Sequence, residues 1–317
     1  MAVEKYSLFV IEGGLGKHIA ATAVAKCIKN NHPDRKLIIA CAWPQVFLNL
    51  DFVDKVYRLG ATPYFYQTYV EDKDSLLFKH EPYFTTEHIH KKLSLVENWC
   101  KLYNLKFDNE KPVLRFNLIE QEKALSFVKE NNKPIFLIHT HGGMYQPAEG
   151  ALPYRWARDM PFNIAQAVAD KYSSQYHVVQ VTRQESSAIK GATVINQPLD
   201  AMTLLSLVGV SSKRLLIDSC LQHAAAALEM PASVLWIATS PKVFGYSIHD
   251  NLKAEIPKDF KLPDSFIFDF SFEGLPHECP FDNPDIFDLD DIFASLDGKK
   301  TESQKLEAAK LPSINSK

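Results

Sequence analysis

The run Asp218-Ser219-Cys220-Leu221-Gln222-His223 follows an apolar strand ending at Ile217, and an alanine-rich helix, Ala224-Ala225-Ala226-Ala227-Leu228, continues at once. The free backbone N–H groups of such a first turn, with the positive end of the helix dipole, form an anion site at the mouth of a sheet. A plain helix cap by Asp218 or Ser219 is the competing reading. Gly13-Gly14-Leu15-Gly16 makes a second candidate turn between strand and helix. It lacks the GxGxxG spacing, and Lys17-His18 replaces the GK[ST] ending of a P-loop. Glycines there let a substrate approach the backbone closely. Lys17, His18 and Glu12 stand beside that approach, offering a charge clamp and a general base.

His139-Thr140-His141-Gly142-Gly143 closes the first strand of the second half with small and hydroxyl residues suited to ligand contact. His139 and His141, two apart on an extended segment, point to opposite faces and do not suit one metal. The same reading covers His88 and His90, and Asp288-Leu289-Asp290 is discounted as a metal-binding DxD because it lies in an acidic tail. Arg155 and Arg158, in Tyr154-Arg155-Trp156-Ala157-Arg158, are fitted to grip phosphate oxygens; surface salt bridges are the alternative.

Positioning these residues requires alternating strands and helices. Apolar runs predict strands at 6–11, 36–41, 53–58, 135–138, 176–181, 193–196, 214–217 and 233–238. Helical spacing predicts helices at 18–29, 86–103, 162–172, 199–208 and 221–228. Residues 60–109, rich in aromatics and histidine, yield little pattern beyond the helix at 86–103. The fold expected is α/β, two Rossmann-like doubly wound domains facing a cleft: an N-terminal domain over 1–130 and a C-terminal domain over 131–275, then an acidic and disordered tail over 276–317. A net charge of −3 excludes a global basic field, and five cysteines without a CxxC pair read as a reduced, cytoplasmic chain without a thiolate metal site. The apolar start reads as a buried strand and not a secretory signal, and no stretch is apolar for long enough to span a bilayer.

The region 6–246 resembles the ADP-heptose:lipopolysaccharide heptosyltransferases, glycosyltransferases of GT-B architecture. The likeness rests on the glycine turn and helix 16–27, Asn31-His32-Pro33-Asp34, Tyr154-Arg155-Trp156, Asp218 to Ala226 as a DSGxxHLAAA-like donor motif, and 231–241 (PASVLWIATSP). It implies that a nucleoside-diphosphate sugar is the co-substrate, with no cofactor and no catalytic metal. The donor would be held by Gly142, Gly143, Arg155, Arg158, Asp218, Ser219, Cys220, Leu221 and His223, and Gly13, Gly14 and Gly16 would form the acceptor-side loop. Two positions depart from the family: Lys17 stands where it has its Asp base, and Cys220 where it has Gly. The loop Gly13–Ile19 is also similar to the GGxGxHI loop of the lipid-linked GlcNAc transferase of peptidoglycan synthesis, which makes His18 the replacement base and Glu12 the second choice. Lys17 would help neutralise the departing diphosphate.

Phe287-Asp288-Leu289-Asp290-Asp291-Ile292-Phe293 is a feature the enzyme core does not need. One reading is a terminal helix packed on the N-terminal domain. Another is a docking peptide, since it looks like the acidic tails by which T4-like phage replication proteins hold their sliding clamp. That reading makes DNA a partner and hydroxymethylcytosine, flipped from the duplex, the acceptor. Tyr64, Phe65, Tyr66, Tyr69, Tyr83 and Phe84 would then stack on the base, with core burial as the alternative. The expected function is thus transfer of a sugar to a hydroxylated DNA base. A surface-saccharide acceptor, a sugar-nucleotide epimerase and a non-catalytic clamp binder stand as alternatives.

Overall fold

The β1 strand, Lys5–Ile11, has helices on both faces and is buried along nearly its whole length, as its unbroken apolar run predicts. The computed structural model describes residues 3–128, 132–142, 155–267, 274–276, 278–280 and 285–299. After β1 come α1 (Leu15–Asn31), β2 (Lys36–Cys41), β3 (Lys55–Arg58), α2 (Phe65–Tyr69), β4 (Asp74–Phe78), α3 (Thr86–Ile89) and α4 (Leu95–Leu102). These four strands form one parallel sheet in the order β3-β2-β1-β4, with Leu8 registered between Ile38 and Leu77.

The chain then passes through α5 (Leu118–Val128) to β5 (Ile135–His139), α6 (Phe162–Tyr172), β6 (His177–Val181), β7 (Thr193–Ile195) and α7 (Ala201–Val210). It continues with β8 (Lys213–Ile217), α8 (Cys220–Ala227), β9 (Ser233–Trp236), α9 (Pro241–Phe244), β10 (Asp250–Lys253) and α10 (Leu289–Leu296). The second sheet runs β10-β9-β8-β5-β6-β7, all parallel. Numbered from β5, this is the 3-2-1-4-5-6 order of the doubly wound dinucleotide fold. The fold class expected from the sequence is therefore the one observed.

Local differences have local causes. The single helix expected at 86–103 is broken at residues 90–94, where Lys91 adopts φ 52° and Ser94 caps α4 by accepting the Glu97 N–H. α1 starts at Leu15, three residues before expectation, because only Gly13, at φ 94°, needs a left-handed turn. α5 packs on α7, so residues 105–117, which form no helix or strand, carry the passage from one unit to the other. Farther on, the chain returns: the Phe266 N–H donates to the Ile89 carbonyl at 2.8 Å, and the Phe266 ring stacks on His88 at 5.2 Å. No helix among the described residues is long and apolar enough to cross a membrane.

Residues 285–299 of the tail pack onto the second unit. Ile286, Phe287 (7% exposed), Ile292 (1%) and Leu296 are buried with α6 and the β5, β8 and β9 side chains, and residues 281–284 lie outside the described set. The Ser295 hydroxyl meets Ser233 at 2.6 Å and donates to Asp250 at 2.9 Å, while Lys213 donates to the Leu296 carbonyl. Two expectations are thereby corrected. The apolar residues proposed to hold a clamp are spent on the core, and the helix packs on the second unit, not the first. Asp288 caps α10, its side chain accepting the Asp290 N–H at 2.8 Å. Ile292→Ala should cost about 2–5 kcal/mol by cavity formation, read as a lowered thermal midpoint; an unchanged midpoint would return the tail to the surface.

Candidate functional site

In an open doubly wound sheet, ligands bind outside the strand C-termini where the winding reverses. In the second sheet that point lies between β5 and β8. The loops there are Thr140–Gly142 and Asp218–Ser219, and they touch: a Cβ at Gly142 would lie 3.6 Å from the Ser219 Cβ. Ser219 is the N-cap of α8, extended at φ −162°, and no side chain caps the helix. The Cys220 thiol, a weak acceptor, lies against the amides of Cys220 and Leu221. Burial raises that thiol's pKa and keeps it protonated.

The first sheet presents its own turn to the same place. A Cβ at Gly16, in the first turn of α1, would fall 3.0 Å from His223 Cδ2 and 3.3 Å from Cys220 Cα. Two helix N-termini therefore meet across the gap between the sheets. His223, buried, is bonded through Nδ1 to the Tyr246 hydroxyl at 2.8 Å. Asp218 is buried beneath; burial pushes its carboxyl upward against the pull of Arg158. Arg158 is exposed, whereas the Arg155 side chain and Gly143 lie outside the described residues. Leu221 is a core residue and contributes only its backbone.

Two expected catalytic residues are placed differently from their sequence reading. His18 is fully buried; its Nδ1–H donates to the Gly14 carbonyl at 2.9 Å, and its Nε2 accepts the Ala42 N–H at 3.2 Å. Both ring nitrogens are engaged, so His18 braces the glycine turn and has no lone pair for a substrate. Lys17 forms an ion pair with Glu81 and lies over the Tyr83 and Trp99 rings at 5.1 and 5.6 Å, which takes its charge away from the α8 amides. Glu12, by contrast, is exposed at the end of β1 with no ion pair or hydrogen bond among the described residues. Gly13 and Gly14 are exposed beside it, and the Trp43 indole donates to the Gly13 carbonyl at 3.1 Å.

The sequence reading missed Trp43, Glu81, Tyr246 and the Asp159–Arg183 pair. Asp159, half-buried and raised by desolvation, pairs with Arg183 and accepts the Gly142 N–H at 3.4 Å, tying the loops after β5 and β6 together. The positions of Trp43 and Arg183, just past β2 and β6, are a signal that strand assignment alone supplies. His139 is buried, whereas His141 bonds the Thr140 and Thr182 hydroxyls at 2.8 Å. They do not converge. Of the aromatics expected to stack on a base, Tyr69 and Tyr83 are core residues, Phe65 packs on Tyr57 and Tyr69, and Tyr64, Tyr66 and Phe84 are exposed.

No protein-family model matches the chain, and no curated protein matches by sequence. Solved structures do match. A glycosyl transferase family 9 protein of Veillonella parvula superposes with a TM-score of 0.59 at 12% identity, over 80% of this chain and 86% of that one. The ADP-heptose LPS heptosyltransferase II of Escherichia coli gives 0.58 at 13%, over 80% and 91%. The iron-containing dodecameric glycosyltransferase TibC of enterotoxigenic E. coli gives 0.60 at 13%, over 98% and 77%. At such identities the likeness defines the fold, which is that of the GT-B glycosyltransferases.

Burial holds four imidazoles neutral, pushing His18 and His88 down to about 4 and His139 and His223 to about 3 from 6.5. The unfolded chain binds protons on these groups that the fold refuses. Their contribution is complete above pH 6.5 and is lost as pH falls toward 4. Burial lowers His249 in the same sense, whereas Asp159 and Asp218, raised by burial, act in the opposite one, two groups against five. The urea midpoint should fall between pH 6.5 and 4; a flat midpoint would mean that these rings are not buried neutral.

Proposed function

We propose that the chain is a GT-B glycosyltransferase that moves a sugar from a nucleoside-diphosphate donor to the hydroxyl of a saccharide acceptor, in the manner of the heptosyltransferases. The observation that carries this reading is the meeting of the α1 and α8 N-termini at Gly16, Cys220 and His223, at the switch point of the second sheet. Partial positive charge from both helices favours an anion there. Support comes from the structural neighbours, one named for ADP-heptose and another, TibC, solved with ADP-D-β-D-heptose.

In this reading the diphosphate lies along the first-turn amides of α8, with Arg158 supplying positive charge and Gly142 admitting the donor beside Ser219. Glu12 takes the proton from the acceptor hydroxyl, whose oxygen forms the new bond to the anomeric carbon. The bond from that carbon to the diphosphate oxygen breaks, and its electron pair leaves with the diphosphate, stabilised by amides already in place. The base role passes from His18 to Glu12 because Glu12 is exposed and uncommitted. Among the described residues no group of three His, Cys, Asp or Glu offers a site for iron of the kind named for TibC. With the tail buried, the sequence argument for a DNA-base acceptor loses its support, and a saccharide is preferred.

Release of nucleoside diphosphate that depends on acceptor distinguishes transfer from epimerisation and from simple binding. Glu12→Gln should lower turnover by about 10²–10⁴ while leaving donor affinity unchanged. Wild-type turnover in that variant would remove Glu12 as the base.

A further inference from the structure

We infer that Tyr246 is a positioning residue that fixes the tautomer of His223, so that the imidazole presents an Nε2–H donor to a phosphate oxygen of the bound nucleotide. This rests on the donor site proposed above. The geometry is specific. The Tyr246 hydroxyl lies 2.8 Å from His223 Nδ1, and the two rings meet edge to face at 5.5 Å and 86°. A phenol and a neutral imidazole can share this bond in two ways. If Nδ1–H donated, the phenolic hydrogen would need an acceptor of its own, and the hydroxyl has no second partner among the described residues. If the phenol donates, both atoms are satisfied and the imidazole proton must sit on Nε2.

The Nε2 edge faces the proposed site. Cδ2, bonded to Nε2, is the atom that a Cβ on Gly16 would crowd at 3.0 Å, and no hydrogen bond among the described residues uses Nε2. His223 thus projects from α8 toward the other helix N-terminus, beside the amides that would hold a diphosphate. Burial keeps the ring uncharged, so it acts as a neutral donor of fixed direction.

The fold holds Tyr246 in place from behind. Its carbonyl accepts the Asn251 side-chain amide at 3.0 Å and the His249 N–H at 3.1 Å, and Asn251 is itself held by the Trp236 indole at 2.9 Å. Gly245 makes the turn feasible: a Cβ there would lie 2.6 Å from the Pro241 carbonyl. The nearby Asp218 and the burial of the ring both disfavour phenolate, so the donor hydrogen is retained.

The test is nitrogen NMR of the full chain labelled at histidine, with the His223 signal assigned by its loss in His223→Gln. Wild type should show His223 protonated at Nε2 and bare at Nδ1. Tyr246→Phe should move it to the Nδ1–H form or a mixture, and should weaken ADP, used as the probe, by about tenfold, the worth of one hydrogen bond to a charged group. A wild-type ring protonated at Nδ1 overturns the inference even if the variant does not fold, and so does an unmoved His223 signal in Tyr246→Phe. A shifted tautomer with unchanged ADP affinity overturns the nucleotide role. Absence of ADP binding in wild type counts against the donor site itself, a failure separable from the tautomer result.

Discussion

At Gly16 the backbone of α1 meets the first turn of α8 so closely that a methyl group would lie 3.0 Å from the His223 ring. Each helix brings roughly half a positive charge to its N-terminus. Bringing two such ends together is unfavourable unless an anion, or the negative end of a dipole, shares the space. The contact also fixes the distance between the sheets, because α1 packs under the first and α8 under the second, and one apolar core runs continuously through both. Any side chain at position 16 would separate them.

Around that contact the second unit buries several polar groups at or just past strand C-termini. Asp218 follows β8, His139 ends β5, and Arg183 follows β6. Burial resolves each group's charge in its own way: Asp159 and Arg183 pair, His139 and His223 lose their protons, and Asp218 is pushed toward its neutral form.

The parts of this arrangement written locally could be read from the sequence. Apolar strands followed by glycine or serine turns and alanine-rich helices marked β1–α1 and β8–α8, and with them most of the site backbone. The direction of individual side chains could not be read. His18 and Lys17 are adjacent, but a helix turns about 100° per residue, which sends His18 into the core and Lys17 to Glu81, far off in sequence. β4 and β10 were missed because Asp74–Phe78 and Asp250–Lys253 are short edge strands with exposed positions, and edges need no continuous apolar run. The acidic tail misled for a related reason. Its apolar stripe was visible, but only the apolar face that β8, β9 and α6 offer explains what the stripe covers.

Binding of a diphosphate where α1 and α8 begin can be followed in the backbone amide spectrum of the labelled protein during titration with ADP. The largest shifts are expected at Gly16 on one helix and at Cys220, Leu221 and His223 on the other, moving together with a single affinity. Shifts confined to a different surface, such as the groove of about 780 Å³ lined by Lys26, Lys111 and Glu229, with the residues at Gly16 and Cys220 unmoved, would contradict it.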